Sequence, residues 1–303
     1  MCAANNNAFA GNPVIRHKYT ADPAAIEYNG TVYMYTGHDE PPDGVENYVM
    51  KDWLCFSSKD MVHWEEHPVP LRAKDFTWAK GDAYASQVIF RNGKFYWYVA
   101  VSHATVPGKA IGVAVADQPA GPFKDARGSA LITNETIGVS GDNKINLDPT
   151  VLIDDDGQAW LFWGNSQCYY ARLQENMIEL DGPVQKIYLP EFTEGAWIHK
   201  RHDWYYLLYG YGFPEKVAYA MSRNIHGPWE FKGIVNEIAG NCQTNSPAIL
   251  DFKGQTYFIY HNGALKKGGS HRRSVCIDYM YFNDDATIQR IMMTSEGVRA
   301  VAS

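Results

Sequence analysis

The chain lacks the features that mark nucleic-acid-binding, membrane-spanning and nucleotide-binding proteins. Its 303 residues carry 27 lysines and arginines against 34 aspartates and glutamates, a formal net charge of −7, and no basic run is longer than His271-Arg272-Arg273. No apolar run approaches the roughly 20 residues that a membrane-spanning helix needs. Neither a Gly-rich phosphate loop nor a Gly-x-Ser-x-Gly nucleophile elbow is present. We therefore expect no nucleic-acid partner and no membrane-spanning segment.

The sequence has five cysteines, and their spacing does not indicate disulfide pairs. None of the five shows Cys-x-x-Cys spacing, and three lie in strand-like runs, so buried free thiols are expected rather than a disulfide framework. Cys2 differs because it precedes Ala-Ala-Asn-Asn-Asn within residues 1–11, which we interpret as an N-terminal tether. Cys2 could be the lipid acceptor of a bacterial lipoprotein. This predicts a location at the bacterial cell envelope or a secreted protein, with the cytoplasm as the alternative.

The sequence contains one motif that is repeated five times. The motif consists of a polar or small residue, a short apolar strand, a tight turn such as Asn29-Gly30, and a second strand rich in aromatic residues. This is the pattern of a β-hairpin. The copies begin at positions 22, 85, 148, 194 and 246. Each copy is followed by a further strand-like segment that ends in a turn and an outer strand. Five units of four strands each predict an all-β fold, a five-bladed β-propeller.

The repeats also limit the domain organisation. They run from near residue 20 to near residue 290 with no Pro/Gly/Ser-rich linker between them. We therefore expect residues 12–303 to form a single propeller domain.

The first position of each repeat predicts a site. In a propeller the first strand of every blade lines the central axis, so Asp22, Ala85, Asp148, Glu194 and Ser246 should converge. An Asp-Pro or Ser-Pro pair can simply start a strand, because Asp and Ser bond the turn backbone. That explanation does not account for Glu194, which is longer and lacks the following proline.

Three converging carboxylates have a chemical consequence. They repel one another, so the pKa of at least one should rise. A protonated carboxylic acid opposite an ionised carboxylate is the pair of catalytic groups that hydrolyses a glycoside. The longer Glu194 suits the acid, and its place across the axis from Asp22 predicts the wider separation of about 6.5–9.5 Å that inversion requires.

These motifs resemble those of glycoside hydrolase family 43 over nearly the whole chain. The carrying motifs are Ala21-Asp22-Pro23, Leu147-Asp148-Pro149-Thr150 and Thr193-Glu194-Gly195, each in its expected blade, with Tyr35-Thr-Gly-His-Asp-Glu40 and Ile259-Tyr-His-Asn262 in support. The resemblance implies that Asp22 is the general base, Glu194 the general acid, and Asp148 the residue that orients the acid and tunes its pKa.

The resemblance also implies roles for residues outside the three motifs. His261 would lie at the floor of the axis as a substrate-binding residue, near a structural calcium or sodium ion; the alternative is a histidine that is simply hydrogen-bonded. No cofactor would be required for catalysis. Arg273 would contact the sugar, with Arg272 as the competing assignment. Tyr84 stands where many relatives have a Trp-Ala-Pro platform, and Tyr-Ala-Ser departs from that pattern. His38 follows the first hairpin, where either substrate contact or a turn role is expected.

The expected activity is an inverting, exo-acting hydrolase. The resemblance implies release of terminal α-L-arabinofuranose, with β-D-xylose as a second sugar, from plant cell-wall arabinoxylan or related hemicellulose fragments. The alternatives are an arabinanase on linear α-1,5-arabinan, a retaining fructosidase of the related five-bladed class, and a noncatalytic carbohydrate-binding propeller. The fructosidase is disfavoured because Ala21-Asp22-Pro23-Ala24 lacks the Asn-Asp-Pro-Asn-Gly type motif of that class.

Overall fold

Strands make up almost all of the regular structure in the computed structural model, which describes residues 9–302. Within this range there are 21 strands and one 3₁₀ helix, Ala73–Asp75, and no helix long and apolar enough to cross a bilayer. The strands form five antiparallel sheets in chain order, which are the blades of a five-bladed β-propeller. The predicted fold class is confirmed.

The first two blades have five strands each. Blade 1 contains β1 (Thr20–Tyr28), β2 (Thr31–His38), β3 (Asp52–Ser58), β4 (Glu65–Glu66) and β5 (Leu71–Arg72). Blade 2 contains β6 (Ala79–Gly81), β7 (Ser86–Arg91), β8 (Lys94–His103), β9 (Lys109–Ala116) and β10 (Lys124–Asp125). In both blades an additional short strand pairs beside the expected four.

The remaining blades have four, four and three strands. Blade 3 contains β11 (Thr150–Ile153), β12 (Ala159–Trp163), β13 (Cys168–Leu173) and β14 (Gln185–Ile187). Blade 4 contains β15 (Trp197–Arg201), β16 (Trp204–Tyr211), β17 (Lys216–Ser222) and β18 (Glu230–Asn236). Blade 5 contains β19 (Ala248–Phe252), β20 (Gln255–Asn262) and β21 (Ser274–Met280).

Blade 5 departs from the prediction of four strands in every repeat. The segment expected to form its outer strand makes only one isolated bridge, Phe282 to Ile288, because Asn283 closes a tight turn with Thr287. The N-terminal segment takes that edge instead, since the Val14 N–H donates to the Val275 carbonyl of β21. The two ends of the chain thus close the ring.

The predicted hairpin turns are present. Asn29-Gly30, Asn92-Gly93 and Lys253-Gly254 have positive φ at both residues, the conformation of a two-residue turn that matches the twist of the flanking strands. These turns directly connect β1 to β2, β7 to β8 and β19 to β20. The repeat therefore has a local cause in the turn residues.

The core lies between neighbouring blades, where apolar faces pack on one another. Its largest fully buried side chains include Trp53, Trp97 and Trp163. Cys55, Cys168, Cys242 and Cys276 are buried and free, as the sequence predicted. Cys2 and residues 1–8 of the predicted tether lie outside the described residues, while the backbone N–H groups of Ala10 and Gly11 donate to Val298 and Glu296.

Candidate active site

A cavity opens at the axis where the first strands of the blades begin. The three predicted carboxylates line it, and so do Tyr84 and Arg273. The complete lining is Asp22, Tyr48, Tyr84, Ala85, Lys144, Leu147, Asp148, Glu194, Thr244, Ser246 and Arg273. Five blades therefore contribute to one cavity, as the repeat alignment predicted.

Bulges in the backbone orient the carboxylates toward the cavity. They also correct one detail of the predicted alignment of the five repeats. Asp22 and Asp148 have φ of 47° and 55°, in the left-handed region that non-glycine residues seldom adopt. In blade 4 the residue with this conformation is Gly195, with φ of 65°. Glu194 therefore occupies the strand position before the bulge, equivalent to Leu147 rather than to Asp148.

The ladder hydrogen bonds show the same offset. The Leu147 carbonyl accepts from the Gly164 N–H, and the Glu194 carbonyl accepts from the Gly210 N–H, both at 2.8 Å. The predicted alignment of Glu194 with Asp22 was therefore wrong by one residue. A longer side chain from a position one residue earlier still reaches the same cavity, which is why the predicted convergence holds.

Asp22 is held by donors on one oxygen only. Its Oδ1 accepts from Arg273 Nη1 at 2.8 Å and from Ser246 Oγ at 3.0 Å. Within residues 9–302, Oδ2 has no hydrogen-bond partner from the protein. Two donors on Oδ1 stabilise a carboxylate and orient it, and Oδ2 is left to accept from a ligand or water.

Asp148 and Glu194 are linked through the bulge in blade 4. Asp148 Oδ2 accepts from the Gly195 N–H at 2.7 Å, and Glu194 Oε2 accepts from Asn165 Nδ2 at 2.6 Å. Asp148 thereby fixes the backbone directly after Glu194. Across the described chain, Glu194 Oε1 has no protein partner.

The pKa of each of these two carboxyl groups is raised. Burial raises the pKa of Asp148 well above its usual range, and the charges of Glu194 and Asp22 raise it further. Burial also raises the pKa of Glu194, the Asn165 hydrogen bond opposes that rise, and the Asp22 charge adds to it. The predicted rise in at least one carboxyl pKa is present.

Arg273 connects the cavity to a buried acid. Its Nε and Nη2 donate to the two oxygens of Asp39 at 2.9 and 3.0 Å, while Nη1 donates to Asp22. Asp39 and Arg273 are only 2% and 3% exposed, so the pair is a fixed support and not a surface ion pair. Arg272 points elsewhere, donating to Glu46 and to the Pro42 carbonyl. Of the two competing arginines, Arg273 is therefore the one at the cavity.

His261 lies under the site and does not line it. The ring is fully buried, its Nδ1 accepts from the Asp22 N–H at 3.2 Å, and its Nε2 lies 3.0 Å from the Thr244 carbonyl. Burial and the Arg273 charge lower its pKa to about 4, so the ring is neutral, with its proton on Nε2. With both nitrogens engaged, His261 offers no lone pair to an ion. The predicted contact with sugar or ion at His261 is replaced by support of the Asp22 backbone.

His38 is also outside the cavity, contrary to the substrate-contact prediction. Its Nδ1 lies 2.8 Å from Asp52 Oδ1 and 3.6 Å from Glu40 Oε2. Side chains alternate along an extended segment, so Asp39, and not His38, is directed toward Arg273. The alternative turn role is not observed either, because His38 is the last residue of β2 and contacts Asp52, the first residue of β3.

Several lining residues had no signal in the repeat. Tyr48, Lys144 and Thr244 come from long connections that differ from blade to blade, so no equivalent position marks them. Asn165 lies two residues after β12 ends, and no motif of the repeat singled it out. Glu215 was missed as well, although an acidic residue directly after an apolar Phe-Pro pair is an available cue.

The fold and the cavity together define a class. A five-bladed propeller whose axis presents a carboxylate with a free oxygen, a second carboxyl group with a raised pKa and a third that positions it has the groups of a glycoside hydrolase.

Comparison with known proteins identifies the family. The model of glycosyl hydrolases family 43 matches residues 10–288, and the chain belongs to this family. Among curated proteins, the arabinoxylan arabinofuranohydrolase of Bacillus subtilis is 30% identical over 96% of this chain and 66% of its own length. The chain thus spans slightly less than two thirds of that relative.

Solved structures agree. An α-L-arabinofuranosidase from Clostridium thermocellum is 34% identical with a TM-score of 0.78, over 93% of this chain and 96% of its own. A β-xylosidase/α-arabinofuranosidase from a compost metagenome, solved with xylotriose in a calcium-free form, has 27% identity and a TM-score of 0.83, over 94% and 98%. By contrast, an endo-arabinanase of B. subtilis matches only 53% of this chain, at 25% identity. The chain is a glycoside hydrolase of an inverting family that needs no catalytic cofactor.

Proposed function

We propose that the protein is an exo-acting hydrolase that releases terminal α-L-arabinofuranose from arabinoxylan or related hemicellulose fragments, with terminal β-D-xylose as a second sugar. One observation carries the proposal. Asp22 and Glu194 face the same cavity, and within residues 9–302 each has one oxygen held by protein donors and one without a protein partner.

This arrangement supports a single displacement. Glu194, whose pKa burial raises, gives its proton to the glycosidic oxygen as the bond from that oxygen to the anomeric carbon breaks. Asp22 Oδ2 takes a proton from the water that attacks the anomeric carbon from the opposite face. Arg273 and Ser246 keep Asp22 in place, and Asp148 positions the acid through Gly195. The product has the inverted configuration.

The names of the relatives support the choice of sugars. The B. subtilis and C. thermocellum proteins are named for arabinofuranose, and the metagenomic protein for both xylose and arabinose. Among the cavity residues, Tyr84 offers an aromatic face and Arg273 and Lys144 offer donors. Such a combination suits a neutral sugar with several hydroxyl groups.

The test is a panel of 4-nitrophenyl pentosides, arabinoxylan oligosaccharides and linear arabinan, with products identified by chromatography. Free arabinose from the branched oligosaccharides is expected, with little product from arabinan. Predominant cleavage of arabinan would move the assignment to the arabinanase alternative. No release from any substrate would favour a noncatalytic carbohydrate-binding propeller.

The ion expected near the axis takes no catalytic part in this proposal. Both ring nitrogens of His261 are engaged by Asp22 and Thr244, so this residue does not fit as an ion ligand. Dialysis against a chelator should leave kcat on a 4-nitrophenyl arabinoside within twofold. A large loss that added calcium restores would contradict this.

The envelope or secreted location expected from Cys2 remains a proposal. Globomycin treatment of cells that express the natural gene, followed by fractionation, would test it. Accumulation of a larger, unprocessed form is the expected result, and an unchanged form in the cytoplasmic fraction would refute it.

A further inference from the structure

A lysine in blade 2 lies behind the cavity residue Tyr84. Lys109 is the first residue of β9, and its side chain is only 13% exposed. Tyr84 lines the cavity, whereas Lys109 does not. The Lys109 ammonium nitrogen, Nζ, lies 4.6 Å from the centre of the Tyr84 ring and 3.5 Å from its hydroxyl oxygen. A cation over an aromatic ring at this distance is attracted to the π electrons, so Lys109 contacts Tyr84 from the side away from the cavity.

The ammonium group of Lys109 is itself held by two further side chains. Its Nζ donates to Asp82 Oδ2 at 3.0 Å and to Ser102 Oγ at 2.6 Å. The Ser102 hydroxyl in turn donates to Asp82 Oδ2. A lysine has a long, flexible stem and keeps a defined position only where its ammonium group has fixed partners. Asp82 and Ser102 supply those partners, and they make Lys109 a fixed support.

The backbone of Tyr84 is fixed as well. Its N–H donates to the Ala100 carbonyl at 3.0 Å, and its carbonyl accepts from Trp53 Nε1 at 2.7 Å. With the backbone held, the two side-chain torsions are the freedom that the tyrosine retains. Lys109 restricts both torsions, because it contacts the ring and the hydroxyl group together.

Lys109 also joins blade 2 to the segment that leads to Asp148. The Lys109 N–H donates to the Asn143 carbonyl at 3.1 Å, and Asn146 Nδ2 donates to the Lys109 carbonyl at 3.1 Å. Asn146 is two residues before Asp148. The support of Tyr84 is therefore anchored to the part of the chain that carries one of the three carboxylates.

The position of Lys109 indicates which face of Tyr84 binds a ligand. Lys109 covers one face of the ring, which leaves the opposite face for the C–H groups of a sugar. We propose that Lys109 is a positioning residue for the released sugar, which keeps Tyr84 in the orientation that packs against this sugar. The proposal rests on the proposed function, because it assumes that a terminal pentose occupies the cavity. A ring that is fixed before binding loses less conformational freedom on binding, so the contribution of Lys109 belongs to KM.

The test is the kinetics of Lys109→Met on 4-nitrophenyl α-L-arabinofuranoside. Methionine keeps a side chain of similar length but has no charge and no donor. KM should rise about fivefold, the loss expected for one cation–π contact, while kcat stays within twofold of wild type. Inhibition by free arabinose should weaken by the same factor as KM. A purely structural role would change neither constant under conditions where circular dichroism shows the variant to be fully folded.

A double variant makes the test specific for Tyr84. In a Tyr84→Ala background, Lys109→Met should change KM by less than twofold, because the ring that the lysine holds is absent.

Lys94→Met is the matched control. Lys94 pairs with Asp117 in the same blade and begins β8, eight residues of extended chain, or about 26 Å, from Ser102. This variant should have the wild-type KM.

The outcomes separate this inference from the function on which it rests. A wild-type KM for Lys109→Met, or a fivefold rise that persists in the Tyr84→Ala background, would refute the positioning role and leave the hydrolase assignment intact. If Lys109→Met does not fold, Asp82→Asn takes its place, since it removes the anion that holds Lys109. Asp82→Asn should raise KM at least twofold, and an unchanged KM would refute the role. A wild-type enzyme that releases no pentose from any substrate would instead overturn the proposed function.

Discussion

At the scale of single residues, Glu194 and Asp22 should respond differently to the leaving group. A general acid is dispensable when the leaving oxygen is already stable as an anion, while a base that activates water is always needed. Glu194→Ala should therefore lose about 10²–10⁴-fold in kcat on oligosaccharides but retain much of its activity on aryl arabinosides with acidic phenols. Asp22→Ala should fail on both. Steady-state kinetics on the two substrate series provide the measurement.

The same variants test the stereochemical expectation. Proton NMR during the first minutes of wild-type hydrolysis should show the inverted anomer of the released sugar before mutarotation. Glu194→Ala losing equally on both series would remove this residue from the acid role. A retained anomer would require a nucleophile in place of the base.

Glu215 is a second residue whose protonation state matters. Burial, with the charge of Glu194 added, raises its pKa to about 9, and its Oε1 has no partner in residues 9–302. Between about pH 4.3, the usual pKa of a free Glu, and pH 9 the folded chain holds a proton that the unfolded chain has released. The free energy of unfolding should therefore fall as the pH rises through this window.

Glu215→Gln removes that proton uptake while keeping an acceptor for the Asn245 N–H. We expect the variant to melt at least about 3 °C above wild type at pH 8 and close to wild type at pH 4.5. Glu230→Gln, at an exposed position, is the control and should show no such pH-dependent difference. A variant no more stable than wild type at pH 8 would mean that Glu215 is already ionised in the fold.

At the scale of elements, the bulge in blade 4 links architecture to chemistry. Gly195 has φ of 65°, and a β-carbon at this position would lie 3.3 Å from the Asn245 carbonyl. Gly195→Ala should therefore cost about 1–2 kcal/mol in the free energy of unfolding and shift the N–H that Asp148 accepts. Because Glu194 is the preceding residue, kcat should fall by at least tenfold under conditions where the variant is fully folded.

A glycine with the same conformation and free surroundings provides the control. Gly254 has φ of 78° in the turn between β19 and β20, and a β-carbon there would have no neighbour within 4 Å. Gly254→Ala should show a similar loss of stability in urea unfolding with wild-type kcat. Equal kcat values for the two variants would show that the bulge does not position Glu194.

This bulge also shows how far the sequence could predict the site. Hairpin turns and first-strand positions repeat, so the five blades and the convergence of Asp22, Asp148 and Glu194 could be predicted from periodicity. The one-residue offset of Glu194 could not, because a bulge changes the register without changing the apolar pattern. Tyr48, Lys144 and the Asp39 support of Arg273 come from connections that occur once, so no repeat identifies them.

At the scale of the whole molecule, closure of the ring and assembly of the site are one event. Arg273 belongs to blade 5 and Asp22 to blade 1, so their ion pair forms only when the first and last blades meet. Asn12 fastens that junction. Its Nδ2 donates to the carbonyls of Ile277 and Thr294 and to Asp278 Oδ2. Its Oδ1 accepts from the Ile277 N–H.

Asn12→Ala should therefore weaken the junction without touching the cavity. Four lost hydrogen bonds at about 1 kcal/mol each predict a fall of about 4 kcal/mol in the free energy of unfolding, measured in urea. Activity at 25 °C should be retained, but it should be lost at a lower temperature than in wild type, together with the near-UV circular dichroism signal. Asn283→Ala, in an exposed turn of blade 5, is the control and should change stability by less than about 1 kcal/mol. If Asn12→Ala unfolded like wild type, the contacts of the outer segments would be too weak to hold the ring, and closure would have to depend on the Asp22–Arg273 pair itself.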